Sequence, residues 1–171
     1  MHNALESRLP EHAESTIELA IQHANAGGLP FAALIINSQG EVIGEGVNQV
    51  AQQLDCTAHA EVQAIRNASR NTRRVALHGA TLIASGEPCA LCFMAIHMAG
   101  IKNVICLSNR HDAADHGFDY RWTYRHINTS LLNALNIVML GVDRKLWPFQ
   151  VARQQSLTSK KPAAPKARRS G

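Results

Sequence analysis

The sequence predicts an α/β protein, a five-stranded sheet covered by helices on both faces. Three observations predict it. Segments with apolar residues at helical spacing alternate with short apolar runs of strand length. Gly- and Pro-containing turns separate them. The chain has 171 residues, enough for one domain with a core that folds alone. Strands alternating with helices bury both faces of a sheet.

Ser15 to Ala26 carries Ile17, Ala20, Ile21 and Ala24 at helical spacing, and Gly27-Gly28 ends it with Pro30 beyond. Phe31 to Ile36 is a short apolar run suited to a buried strand. Ser38-Gln39-Gly40 is turn chemistry, and Glu41 to Val47 returns as a second strand, so a hairpin is expected. Asn48 to Thr57 is polar. His59 to Arg70 is helical in pattern, with Val62, Ile65 and Ala68 as its apolar line. Ala80 to Ala84 reads as a third strand, residues 85–88 as a turn, Cys89 to Ala99 as a helix stopped by Gly100, and Val104 to Leu107 as a fourth strand. Ser108 to Asp119 reads as a long polar loop, Tyr120 to Leu135 as a helix, and Ile137 to Gly141 as the fifth strand. A last helix is expected within Asp143 to Gln155, starting near Trp147 because Pro148 tolerates only a first turn. Residues 1–155 thus form the folded domain. Residues 156–171, rich in Lys, Pro, Ala and Arg, are expected to form no packed structure.

The net charge is +4, but Lys160, Lys161, Lys166, Arg168 and Arg169 all lie in the final twelve residues. Without those five, 12 basic residues face 13 acidic ones, a net charge of −1. The folded part therefore lacks the basic footprint of a nucleic-acid surface. The apolar runs are far shorter than the roughly 20 residues a membrane helix needs. The beginning of the chain carries acids and no apolar signal core, so the cytoplasm is the expected compartment. Four cysteines without secretion argue against a disulfide framework.

Two motifs carry chemistry. His59-Ala60-Glu61 stands at a loop-to-helix junction, and Pro88-Cys89-Ala90-Leu91-Cys92 at a strand-to-helix junction. An H-x-E alone is weak and a P-C-x-x-C much stronger; both at helix starts are stronger still. Cysteines three apart in a first helical turn can grip one metal, and the helix N-terminus favours thiolate. With His59 they make three ligands, which leaves a fourth tetrahedral position for water, the mark of a catalytic zinc. Such a zinc draws the pKa of its water towards about 7, so that hydroxide is available. Glu61, two residues beyond His59, is placed to relay protons without binding the metal. Two other readings compete. Cys56 lies three residues before His59 and would close a four-ligand structural zinc. A thioredoxin-like redox C-x-x-C would leave His59 and Glu61 unused.

From these residues the sequence resembles the cytidine-deaminase superfamily over about residues 15–155, the H-x-E with P-C-x-x-C signature being that of zinc deaminases. GLPFAA at 28–33, TAHAEVQAIR at 57–66 and EPCALC at 87–92 look like many of its members, tRNA adenosine deaminases included. HDAADHGFD at 111–119 and PFQ at 148–150 look like bacterial guanine deaminases. The resemblance implies a three-layer α/β/α sandwich around a five-stranded mixed sheet. It implies one Zn2+ per chain on His59, Cys89 and Cys92, with Glu61 as proton shuttle. It implies a homodimer, in some members with an exchanged C-terminal segment. Asn48 matches an asparagine that bonds the base; Phe31, Ala60, Asp119 and Tyr120 complete the candidate substrate contacts, with His116 and Trp122 nearby. Tyr120 departs from the guanine-deaminase pattern, which carries a second acid there, and a phenol cannot accept paired N–H bonds as a carboxylate does. The expected reaction is hydrolytic deamination of guanine to xanthine and ammonia. The alternatives are another small aminated heterocycle or nucleoside (cytosine, cytidine, guanosine, creatinine, an aminotriazine) or the adenosine of a tRNA.

Overall fold

The computed structural model describes residues 4–159. The core is a mixed five-stranded sheet in the order β2-β1-β3-β4-β5. Strands β1 (Ala32–Ile36) and β2 (Val42–Val47) form the expected hairpin. β1 also pairs antiparallel with β3 (Thr81–Ala84). From β3 the sheet continues in parallel through β4 (Asn103–Cys106) to β5 (Asn136–Met139). Every residue of β1 and β3 is buried, as strands covered on both faces must be.

Alternation along the strands sorts the core into two layers. Ala33, Ile35, Leu82, Ala84, Val104 and Cys106 face helices α3 (Ala60–Thr72), α4 (Ala90–Met98) and α6 (Thr129–Asn133). Ile36 and Ile83 face α1 (Ala4–Asn25), and α7 (Trp147–Ser159) packs beside α1. The result is the three-layer α/β/α sandwich. A short helix, α2 (Val50–Gln53), follows β2, and α5 (Arg110–Asp115) follows β4.

Four expectations are corrected. Helix α1 starts eleven residues before Ser15, because Leu5, Leu9, Ala13, Ile17 and Ile21 recur every fourth residue against the sheet; Pro10 lies within it. The loop from Ser108 contains α5, whose N-cap Asn109 accepts from the backbone of His111 and Asp112 while Asp112 accepts from the Asn109 backbone, a complete capping box. The helix expected over Tyr120 to Leu135 is broken into a 3-10 segment, Arg121–His126, and α6, because Ile127 is extended and Asn128 caps a new start. Helix α7 runs four residues past Gln155 to Ser159, with exposed side chains there. Residues 160–171, the rest of the expected basic tail, lie outside the described residues. No helix among the described residues is long and apolar enough to cross a membrane.

The position of α3 depends on two glycines. Gly44 and Gly46 sit on the face of β2 beneath the helix, and a Cβ on Gly46 would stand 2.3 Å from the Ala60 carbonyl oxygen and 2.4 Å from the Ala64 nitrogen. These are backbone atoms, so no rotamer relieves the clash. Gly46→Ala is expected to cost about 1–3 kcal/mol or more. Urea unfolding measures it, and a variant as stable as the parent would show that helix and strand are not tightly apposed.

Candidate metal centre and cavity

Two helix N-termini from separate parts of the chain meet on one face of the sheet. His59 is the N-cap of α3 and Cys89 the N-cap of α4, both with extended backbone, so each side chain projects from a helix mouth. Cys92 is three residues into α4 and fully buried. His59 Nδ1 lies 3.4 Å from Cys89 Sγ and 3.4 Å from Cys92 Sγ, and the sulfurs are 3.6 Å apart. A tetrahedral zinc with bonds of about 2.0–2.1 Å to nitrogen and about 2.3 Å to sulfur sets its ligands about 3.5–3.8 Å apart. The three atoms fit that triangle. Among the described residues they are the one His/Cys/Asp/Glu group whose donor atoms converge in this way. Cys56 is exposed and outside the group, and approaches only through its backbone, against the His59 imidazole. The four-ligand structural arrangement is therefore not formed.

The electrostatics also suit a cation. Cys89 is pulled down to about 4, chiefly by hydrogen bonding from Cys92, so it stands as the thiolate. The hydrogen bond to Cys89 raises His59, and Cys92 keeps the thiol proton beside that thiolate. Cys92 Sγ also lies 3.2 Å from Glu61 Oε2. Glu61 is buried, and burial, followed by the charge of Cys89, pushes its carboxyl up to about 7. A carboxyl whose pKa is raised by burial therefore stands against the three converging donors.

These residues open into a cavity of about 280 Å³. Leu29, Phe31, Val50 and Phe118 give it apolar walls, and His59, Ala60, Glu61 and Cys89 form its floor. Asn48, Glu87, Asp119 and Tyr120 complete the lining. Asn48 is fixed on both sides: its backbone carbonyl accepts from His23 at 2.6 Å, and Oδ1 accepts from Val50 N at 3.2 Å, leaving the amide NH2 to donate. Phe31 meets Phe118, Tyr120 and Phe149 edge to face at centroid distances of 5.9, 6.1 and 5.7 Å. Its ring is thus both wall and packing.

All nine candidate residues line the cavity or lie directly beneath it. The two aromatic-loop residues named beside them do not line it. His116 bonds the Asp112 carbonyl and stacks on Phe149, and Trp122 is 61% exposed. Asp119 is half-exposed at the rim and paired with Arg121 at 2.7 Å; hydrogen bonds from Arg121 push its carboxyl down to about 2. The Tyr120 hydroxyl donates to the Glu87 carbonyl at 2.6 Å. Sequence reasoning passed over Glu87, Val50, Leu29 and Phe118 as lining residues. Each is next to, or within two positions of, a residue that it named.

Comparison with known proteins agrees with this architecture. The model of the cytidine and deoxycytidylate deaminase zinc-binding region matches residues 8–108. Guanine deaminase of Bacillus subtilis is 42% identical over 139 residues, 80% of this chain and 88% of that protein. A crystal structure of guanine deaminase from the same organism superposes with a TM-score of 0.65 at 34% identity, covering 85% of this chain and 93% of that one. The tRNA-specific adenosine deaminase of Haemophilus influenzae is 37% identical over 52% of this chain and 51% of that protein. Guanine deaminase from Nitrosomonas europaea, 24% identical, shares the fold with a TM-score of 0.69 over 85% of this chain and 83% of that one. The chain belongs to the cytidine and deoxycytidylate deaminase family, as a hydrolase of C–N bonds similar to bacterial guanine deaminases.

Proposed function

We propose that this protein hydrolyses guanine to xanthine and ammonia with one zinc per chain. One observation carries the reading. The buried carboxyl of Glu61 lies against a three-donor group of zinc dimensions, on the floor of an apolar-walled cavity, in a chain whose likeness to Bacillus guanine deaminase spans four-fifths of its length. His59, Cys89 and Cys92 would hold the metal. Zinc with three protein ligands supplies Lewis acidity and an open position for water.

The chain's own residues do the rest. Phe31, Phe118, Leu29 and Val50 take the faces of the planar base and exclude bulk water. The Asn48 amide donates to a ring acceptor. Asp119, held ionised by Arg121, is the carboxylate available to an N–H edge. Glu61 takes a proton from the attacking water as the new C–O bond forms at the amino-bearing carbon, and gives it to the adjacent ring nitrogen. It then carries the remaining water proton to the amino group, and the C–N bond breaks to release ammonia. Oxygen stays on the carbon. One water proton ends on the ring and the other on ammonia, so the atoms balance. This use of Glu61 needs a carboxyl near neutrality, which burial supplies. Residues 1–155 would be the catalytic domain, working in the cytoplasm as a homodimer.

Four measurements test the proposal. Glu61→Gln is expected to lower ammonia release from guanine about 10²–10⁴-fold while zinc content stays at one per chain. Cys92→Ser is expected to lose the metal and Cys56→Ser to keep it; the reverse result would sink the assignment of ligands. Asp119→Asn is expected to lower kcat/KM for guanine about 10-fold to 100-fold, the worth of a charge-assisted bond. If it were silent, or if cytosine, cytidine, guanosine, creatinine or ammeline outran guanine in the same ammonia assay, the substrate would be a different ring. Zinc loading is expected to raise the melting temperature of the parent and not of Cys92→Ser, read by thermal denaturation with and without chelator.

A further inference from the structure

The loop that carries Cys89 is held by side chains from one short segment elsewhere in the chain. The Tyr120 hydroxyl donates to the Glu87 carbonyl at 2.6 Å. The Tyr124 hydroxyl donates to the Pro88 carbonyl. Thr123 Oγ1 accepts from the Ala90 backbone N–H at 3.2 Å. Cys89 is therefore bracketed: the two residues before it and the one after it are each bonded by a hydroxyl from residues 120–124. Arg110 closes the frame, bonding both carboxylate oxygens of Glu87 at 2.6 and 3.1 Å and lying 3.5 Å over the Tyr124 ring.

The backbone groups so engaged are ones that α4 cannot satisfy. The first N–H groups of a helix have no helical partner, and the carbonyls of Glu87 and Pro88 precede its ladder. The turn could otherwise take several geometries, and a small rotation at Pro88 or Cys89 would move the sulfur away from His59 Nδ1. Ligand geometry of this kind is held by the groups that surround the ligands.

We propose that Tyr120, Thr123 and Tyr124 are positioning residues that fix the backbone of the Cys89 metal ligand, and that this segment sets how firmly the protein retains zinc. The inference rests on the zinc reading above and goes beyond it. It gives Tyr120 a task other than base recognition: its hydroxyl proton is committed to the ligand loop, and its ring braces Phe31.

The test uses the full-length zinc-loaded chain and the variants Tyr120→Phe, Tyr124→Phe, Thr123→Val and Thr123→Ser. Zinc transfer to a chromophoric chelator gives the rate of metal loss. Cobalt(II) replacing zinc reports the thiolate ligands through its visible absorption. Tyr120→Phe, Tyr124→Phe and Thr123→Val are each expected to release zinc about 3-fold to 10-fold faster, the loss of one neutral hydrogen bond, with shifted cobalt bands. Thr123→Ser keeps a hydroxyl and is expected to restore the parental rate and spectrum. Metal-free variants are expected to melt with the metal-free parent. Parental release rates and cobalt spectra in Thr123→Val and Tyr124→Phe, with the parent binding one zinc, would overturn the positioning role and leave the site intact. Faster release tracking a lowered metal-free melting temperature would also overturn it, since the hydroxyls would then support the fold and not the ligand. A parent that binds no zinc, or a Cys92→Ser that binds it equally well, would instead remove the metal reading and this inference with it.

Discussion

The whole site depends on two helix N-termini meeting within a sulfur–nitrogen distance of 3.4 Å. His59 begins α3, which lies over β2 and β1; Cys89 begins α4, which follows β3. The approach exists because β1 pairs directly with β3 and both helices cover the same face of the sheet. Gly44 and Gly46 let α3 settle onto β2 with nothing between the two backbones. A side chain there would lift the end of the helix that carries His59, Ala60 and Glu61. Packing on the sheet side of the helix thus fixes where its first turn stands, and His59 reaches Cys89 and Cys92 only because the hairpin lies beneath α3.

Much of this was legible in the sequence, for identifiable reasons. The strands could be read because β1 and β3 are covered on both faces, which leaves short uninterrupted apolar runs. The converging His59, Cys89 and Cys92 group could be read because spacing within one helical turn and at one helix start is local information. The region from 108 to 135 could not be read in the same way. Its capping box, Asn109 with Asp112, is a local signal that a polar, histidine-rich stretch obscured. The break between the 3-10 segment and α6 turns on Ile127 and Asn128 between two stretches of helical pattern. At the beginning of the chain, Leu5, Leu9 and Ala13 recur every fourth residue, a spacing that packing on the sheet makes decisive. The lining by Glu87 and Phe118 is tertiary: one is turned inward by Arg110, the other by its ring contacts with Phe31 and Phe149.

The aromatic residues serve chemistry as well as shape. Phe31, Phe118 and Tyr120 give a planar ring flat apolar surfaces, and they also close the cavity over Glu61. Burial is the leading cause of the high pKa of that carboxyl. In open water the group would be ionised well below neutrality and would make a poor acid for the later proton transfers. The aromatic wall of the cavity therefore also raises the pKa of the carboxyl beneath it. In the proposed reaction, loss of an aromatic ring would act on binding and on proton transfer together, through water admitted to the same space.

Tyr120 belongs to both systems. Its ring is part of the wall, and its hydroxyl bonds the carbonyl two residues before Cys89. An acid at this position would present a carboxylate to the cavity and could not donate to that carbonyl while ionised. The phenol thus supplies a brace on the loop that carries Cys89. In the proposed reading, recognition of the N–H edge would fall to Asp119, which sits one residue earlier, at the rim, and already shares its charge with Arg121. A carboxylate so shared binds a neutral base less strongly than a free one, because each bond to the base competes with one to the guanidinium. In the proposed reaction, selectivity would therefore rest more on the shape of the aromatic slot and on Asn48 than on a pair of acids, while the chemical step would depend on Glu61 beside the three-donor group.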